Sequence, residues 1–220
     1  MAELILIRHA QASFGAADYD VLSERGHRQS AALGLALKAH GTTPAAVFRG
    51  EMRRHRETLD GVTGTLGVTA EPAILPGLNE FDFRAVLTAR YGEEGPPGLH
   101  DDRKTHFRNL RETVLMWQRD EIDGVPERFG DFQARVLGAV DTMTASGADS
   151  VMAVSSGGPI ALVVATLLET PLKKMIELQL QMKNCAVTRI VFTPTRRFLH
   201  TFNETPHIDA ETTAEYLTYS

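Results

Sequence analysis

The chain has 220 residues, 43% hydrophobic and 23% charged, with a formal net charge of −5 at pH 7. That length suits one domain, or one domain with an elaborated cap, and the composition is ordinary for a globular protein. Acids and bases are interleaved without a basic stripe or tail, which argues against a general nucleic-acid binder and leaves any anionic small substrate to be captured by a local cluster of Arg.

Residues 3–8 predict a short buried strand built on the apolar run Leu4-Ile5-Leu6-Ile7. Glu3 and Arg8 interrupt that run too early for a signal peptide. The strand ends on Arg8-His9, a pair that is costly in a core and useful at a site. Arg forks onto phosphate oxygens, and His can serve as nucleophile or base near neutral pH. Ser23 predicts the N-cap of a helix running to about Lys38. Gly26 in its first turn costs roughly 1 kcal/mol of helix propensity, which close packing against the loop after the first strand would explain. Gly41-Thr42-Thr43-Pro44 breaks the chain, and Ala45 to Phe48 predicts a second strand. Glu51 to about Leu66 predicts a second helix ended by Gly67, with Met52, Leu59, Val62 and Leu66 on one face and Arg54 and Thr58 sharing another. Arg49, Arg53 and Arg56 read as solvated.

Leu78-Asn79-Glu80-Phe81-Asp82-Phe83 sets a carboxylate among apolar neighbours, where desolvation raises its pKa; Asp82 is the local competitor. Residues 92–100 predict a loop, followed by helical stretches over 101–121 and 129–146. Trp117, within the first stretch, reads as packing. Residues 150–154 predict a strand that turns into a helix from Pro159, a residue suited to a first helical position. The apolar stretch Pro159 to Leu168 is too short to cross a bilayer. Cys185 is the only cysteine, so no internal disulfide forms; it reads as a small buried hydrophobe, and a cytoplasmic location is the default expectation. Residues 185–193 and 198–202 predict paired strands around Pro194-Thr195-Arg196-Arg197, and the tail from Asn203 carries weak signals. Strands and helices alternate at both ends, which predicts an α/β sandwich with a helical insertion in the middle.

Five segments, in order, carry a family resemblance. Leu6-Ile7-Arg8-His9 resembles the Arg-His-Gly signature of the histidine phosphatase superfamily, with Ala10 replacing the Gly. Leu22-Ser23-Glu24-Arg25-Gly26-His27-Arg28-Gln29-Ser30-Ala31 resembles its Leu-Thr-x-x-Gly-x-x-Gln-Ala helix start. Phe48 to Thr58 resembles Ser-x-Leu-x-Arg-Ala-x-x-Thr, with Gly50 in the Ser position, Met52 in the Leu position and Arg54 on the phosphate-binding Arg. Leu78-Asn79-Glu80 resembles Leu-x-Glu. Val154-Ser155-Ser156-Gly157-Gly158 resembles Val-Ser-His-Gly-Gly, with Ser156 replacing the second His.

The resemblance implies a phosphoglycerate-mutase-like fold over residues 1–220, a three-layer α/β/α sandwich with a mainly parallel central sheet and a helical cap over about 85–130. It implies catalytic roles for His9 as nucleophile, Arg8 and Arg54 as phosphate clamps, and Glu80 as proton donor, with Ser156 in the altered position. Backbone N–H groups at Gly157-Gly158, opening a helix, would add a phosphate cradle. Gln11 and Ser13, in the loop Gln11 to Gly15, are the expected substrate contacts; Gly15 stands where many members have Asn. No metal and no other cofactor is implied, and no HExxH or Cys pair offers a metal site. The expected partner is a small phosphorylated substrate, with neither nucleic acid nor membrane. The expected reaction is hydrolysis of a phosphomonoester through phosphohistidine, rather than a mutase reaction.

Ser156 leaves three readings open. The site works more slowly with a hydroxyl donor; or another basic residue, His207, Lys183 or His200, enters from elsewhere; or the chain binds phosphorylated ligands without turning them over. On the first two readings Ser156→His should raise turnover. An acyl-hydrolase triad is disfavoured, because the elbow needs Gly two residues before Ser and this chain has Val154. His27, His40, His55, His100 and His106 read as surface residues.

Overall fold

The structure, a computed structural model, describes residues 2–13, 20–95 and 103–219, without the side chains of 103, 104, 106 and 107. Phe14 and Gly15 of the expected substrate loop, residues 96–100 of the expected middle loop, His100, and the His106 side chain fall outside the described residues.

Strands β1 (Ala2–Arg8) and β4 (Ser150–Ser155) form the centre, paired in parallel. Their apolar residues alternate between two cores. Leu4, Leu6, Val151 and Ala153 enter one; Ile5, Ile7, Met152 and Val154 enter the other. Unbroken apolar runs are what strands covered on both faces require. With β2 (Ala46–Arg49), β3 (Ala73–Ile74), β5 (Val187–Phe192) and β6 (Arg197–Glu204), the sheet order is β3-β2-β4-β1-β5-β6. The joins from β3 through to β1 are parallel, and β5 and β6 add an antiparallel edge. The sheet is therefore mainly parallel.

Helices α1 (Glu24–Ala39) and α2 (Arg53–Leu66) cover one face. Ser23 caps α1 by accepting from the Gly26 N–H, and Gly67 closes α2 at φ 86°. Helices α5 (Phe129–Thr144) and α6 (Gly157–Leu167) cover the other face, which completes the three layers. α6 starts at Gly157, two residues earlier than expected, because the chain enters its helical turn immediately after Ser156. Helices α3 (Phe83–Tyr91) and α4 (Arg103–Trp117) supply the helical insertion between β3 and α5, and α7 (Lys173–Leu180) follows α6. A one-turn helix α8 (Thr213–Tyr216) lies in the tail. β3, α7 and α8 have no counterpart in the sequence expectations, and α3 has one only in the helical cap expected over about 85–130. Among the described residues, no helix is long and apolar enough to cross a membrane.

Trp117 is packing, as its setting in the sequence suggests. Its ring stacks on Phe81 at 4.7 Å between centroids and meets Phe129 edge-on at 5.1 Å. Its indole N–H donates to the Glu127 carbonyl at 2.8 Å, so burial leaves no orphaned donor. Phe81 is thereby pinned, and with it the neighbouring Glu80.

Candidate active site

Arg8 and His9 leave β1 at the carboxyl end of the parallel strands, where ligands collect in sheets of this kind. His9 is 5% exposed, and its Nδ1 lies 2.8 Å from the Ala10 carbonyl oxygen. A carbonyl only accepts, so Nδ1 carries the proton and Nε2 keeps its lone pair. Burial, with the charges of Arg54 and Arg8 close by, pushes the His9 pKa well below the usual imidazole range, so the ring is neutral. The turn after it is held from two sides. The Ala10 N–H donates to Thr58 Oγ1 at 3.0 Å, and Thr58 Oγ1 donates to the Arg54 carbonyl at 2.7 Å. The Gln11 N–H donates to Gln29 Oε1 at 2.9 Å. A Cβ on Gly26 would collide with the Gln11 carbonyl oxygen, which explains a Gly in a first helical turn.

Both arginines are buried, at 8% and 7% exposure for Arg8 and Arg54. Each is anchored by acceptors of the fold. Arg8 Nη1 donates to the Met182 carbonyl and, at 3.5 Å, to that of Tyr219; Arg54 Nη1 donates to Asp20 Oδ1 at 2.6 Å. Asp20 Oδ2 also accepts the Arg53 N–H at 2.7 Å, at the start of α2. Arg49 is half-buried at the end of β2 rather than solvated, whereas Arg53 and Arg56 are exposed.

Glu80 reaches the same place from the segment before α3. Its Oε2 accepts the Gly158 N–H at 3.0 Å and Gln179 Nε2 at 3.4 Å. A Cβ on Gly158 would collide with Glu80 Oε1, so the second Gly of the pair makes room for this carboxyl. Burial raises the Glu80 pKa against the opposing pull of the Gly158 N–H, Arg54 and Arg8. The Gly158 N–H is thus engaged by Glu80, and a phosphate cradle at this helix start would rest on Gly157 alone. Gln11 and Ser13 are half-buried. Gln11 Oε1 accepts Ser23 Oγ at 2.9 Å, and the Ser13 N–H donates to the Val21 carbonyl at 2.8 Å.

Ser156 is fully buried between β4 and α6. Of the three basic residues that one reading would bring to it, none hydrogen-bonds to Ser156 Oγ. Lys183 Nζ donates to the Asn203 carbonyl at 3.3 Å. The His207 ring lies 6.3 Å from that of Tyr216. His200 is exposed and lines a depression of about 930 Å³ with Glu3, His40, Ser150 and Arg189, at the opposite end of β1 and β4. The size of that depression therefore does not mark the site. The residue that meets Ser156 is His55. It is fully buried, not on the surface as expected; its Nε2 lies 2.7 Å from Ser156 Oγ, and its ring centroid is 5.9 Å from that of His9. The clue was present: His55 precedes Leu59, Val62 and Leu66 by 4, 7 and 11 positions, on the apolar stripe of α2. His27 and His40 are exposed as expected.

The tail also reaches the site. Asn184 Nδ2 donates to the His9 carbonyl at 3.2 Å, Thr218 Oγ1 donates to Asn184 Oδ1 at 2.8 Å, and Gln29 Nε2 donates to Thr218 Oγ1 at 2.8 Å. Asn184 and Thr218 had no sequence signal, because their partners are distant in the chain. Among the described residues, no cluster of three or more His, Cys, Asp or Glu side chains could hold a metal ion.

The buried imidazoles make stability depend on pH. Burial, with Arg54 and Arg49 nearby, pushes the His55 pKa down to about 3. An unfolded imidazole titrates near 6.5, so the unfolded chain takes up a proton that the folded chain refuses. The contribution is complete above about pH 6.5 and is lost as pH falls, at about 1.4 kcal/mol per unit. Glu80, with its raised pKa, works in the opposite sense. Thermal unfolding is expected to show Tm falling from pH 6.5 to 5, with a shallower slope in His55→Leu. An unchanged slope would contradict a neutral buried His55.

The family model for the histidine phosphatase superfamily (branch 1) matches residues 4–205. No curated protein sequence gives a significant match. Among solved structures, the chain is similar to alpha-ribazole phosphatase from Shigella flexneri, at TM-score 0.68 and 21% identity over 92% of this chain and 96% of that one. It is similar to phosphoserine phosphatase from Entamoeba histolytica, solved with phosphoserine, at TM-score 0.65 and 19% identity over 94% and 100%. It is also similar to a mycobacterial glucosyl-3-phosphoglycerate phosphatase with inorganic phosphate, at 0.67 and 21% over 95% and 100%. With its family model spanning nearly the whole sequence and its fold shared with these structures, the chain belongs to the histidine phosphatase superfamily, branch 1.

Proposed function

We propose that the protein hydrolyses a small phosphomonoester through a phosphohistidine at His9. The observation that carries this reading is a neutral His9 with its Nε2 lone pair uncommitted to a proton, under the charges of both Arg8 and Arg54, which also act on Glu80. Catalysis at a phosphate dianion is mostly positioning and charge neutralisation, which two buried guanidinium groups supply. Nε2 attacks phosphorus in line. The ester P–O bond breaks with its electron pair going to the leaving oxygen, which takes the Glu80 proton. Water then attacks the phosphoryl group, giving a proton to the Glu80 carboxylate, and the P–N pair returns to His9. The raised Glu80 pKa suits a group that first gives and then receives a proton.

Structural relatives named for alpha-ribazole phosphate, phosphoserine and glucosyl-3-phosphoglycerate support a phosphatase without choosing among substrates. A binding module without turnover would follow from the Ser156 departure; the buried imidazole beside it weighs against that reading. A cytoplasmic setting, read from the single cysteine, belongs to the same proposal. The test is release of inorganic phosphate from a panel of phosphorylated metabolites, alongside conversion of 3- to 2-phosphoglycerate. Phosphate release is expected to dominate; mutase turnover exceeding it, or no turnover across the panel, would overturn the reading.

A further inference from the structure

Three departures from the family pattern meet at one point. Ser156 replaces the second His, His55 stands where the pattern has the Ala after its Arg, and Gly50 stands where it has Ser. His55 Nε2 lies 2.7 Å from Ser156 Oγ. A Cβ on Gly50 would collide with His55 Nδ1 and come within 2.6 Å of Asn79 Oδ1. The imidazole therefore occupies room that the bare Gly50 leaves, and it ends on the short side chain of Ser156.

We infer that Ser156 and His55 act as one unit, in which the Ser156 hydroxyl is the phosphoryl-oxygen donor of this site and His55 is the residue that orients it. This rests on the phosphatase reading and assigns the group that replaces the missing imidazole. The hydrogen-bond inventory sets the direction. His55 Nδ1 is buried without a hydrogen-bond partner. A neutral ring with its proton on Nδ1 would bury an unsatisfied N–H, whereas a proton on Nε2 is donated to Ser156 Oγ. Among the described residues, that ring is the only hydrogen-bond partner of the Ser156 hydroxyl. With its oxygen accepting from His55, the hydroxyl keeps its own proton to donate. Ser156 does not cap α6 with its side chain, so the proton is directed to no protein acceptor there. A phosphoryl oxygen held beside His9 supplies the missing acceptor, the two rings being 5.9 Å apart. The depressed His55 pKa keeps the ring neutral, as this arrangement requires.

The arrangement reverses the simple expectation for Ser156→His. A second ring cannot be added where Ser156 Oγ already sits 2.7 Å from the first. Ser156→His alone is expected to lower turnover, and adding His55→Ala, which clears the space, is expected to recover it. Ser156→Ala should lower kcat by about 10²-fold, the size of one lost transition-state donor. His55→Leu should do the same, while His55→Gln, which keeps an N–H near the Nε2 position, should retain most activity. Because His55 acts through Ser156, His55→Leu in the Ser156→Ala background should cost nothing further in kcat. Inorganic phosphate, titrated calorimetrically into each variant, gives a readout independent of turnover. Its Kd should rise at least about 10-fold in Ser156→Ala, as for a lost bond to a charged acceptor. Full effects of His55→Leu in both backgrounds would overturn the unit, as would a Ser156→Ala protein that binds phosphate and turns over like wild type. If wild type releases no phosphate, the phosphatase reading fails, and the phosphate titration still decides the Ser156 assignment.

Discussion

Replacing His9 with Ala should abolish turnover while sparing phosphate binding. The side chain is neutral in the folded protein, so its removal takes away a nucleophile and not a charge. Both arginines keep their anchors, Arg54 on Asp20 and Arg8 on the carbonyls of Met182 and Tyr219. The expected loss in kcat is on the order of 10⁴-fold or more, as when an enzyme loses its covalent nucleophile. The Kd for inorganic phosphate should change by less than about 10-fold, because charge-assisted bonds from Arg dominate the capture of a dianion. Quenching wild type during turnover should yield an acid-labile phosphoryl group on His9 by mass spectrometry, absent from His9→Ala. A variant that keeps more than a few per cent of wild-type turnover would remove His9 from its role. So would a phosphoryl group found on Ser156 instead.

The parts of the fold that could be read from sequence are those fixed by neighbours close in the chain. β1 and β4 declare themselves through apolar runs with no polar position, and α1 through the Ser23 cap and Gly26. β3 is two exposed residues long, and α7 is 8 residues of mixed character, so neither carries a period to detect. The site divides along the same line. Arg8, His9, Arg54, Glu80 and Ser156 stand in local motifs, and the structure brings them together. Asn184, Thr218 and Gln179 act across the fold, where sequence order gives no warning. His55 carries two opposed signals: flanked by Arg53, Arg54 and Arg56, it looks like part of a basic surface, yet its spacing to Leu59 places it on the buried stripe. Helical spacing outweighs the character of adjacent residues, since neighbours in a helix point about 100° apart.

Glu80→Gln should split the reaction by leaving group. Glutamine keeps the size of the side chain, and its amide oxygen can still accept the Gly158 N–H, so the segment pinned by Phe81 and Trp117 should stay in place. What it lacks is a proton to give and a carboxylate to receive one. An alkyl phosphate expels an alkoxide, a leaving group that needs the proton, and kcat/KM should fall by about 10²–10⁴-fold, the range for general acid–base catalysis. A nitrophenyl phosphate expels an anion stable without protonation, so attack by His9 should proceed at a rate close to wild type. The second step still needs a base to activate water, and it should now stall. The expected record is a burst of nitrophenol equal to the enzyme present, a slow steady state, and phosphohistidine that accumulates. The pH profile gives a second signature. With an alkyl substrate, wild-type kcat should decline as pH rises through the raised pKa of Glu80, because the acid form is lost; in Glu80→Gln that limb should vanish. Asp82 is the control. Its Oδ1 accepts the Ala85 N–H at 2.9 Å as the N-cap of α3, so Asp82→Asn should cost stability by about 1 kcal/mol or less and leave the burst unchanged. Equal losses on both leaving groups in Glu80→Gln, with no burst, would mean that the carboxyl positions the site without carrying the proton.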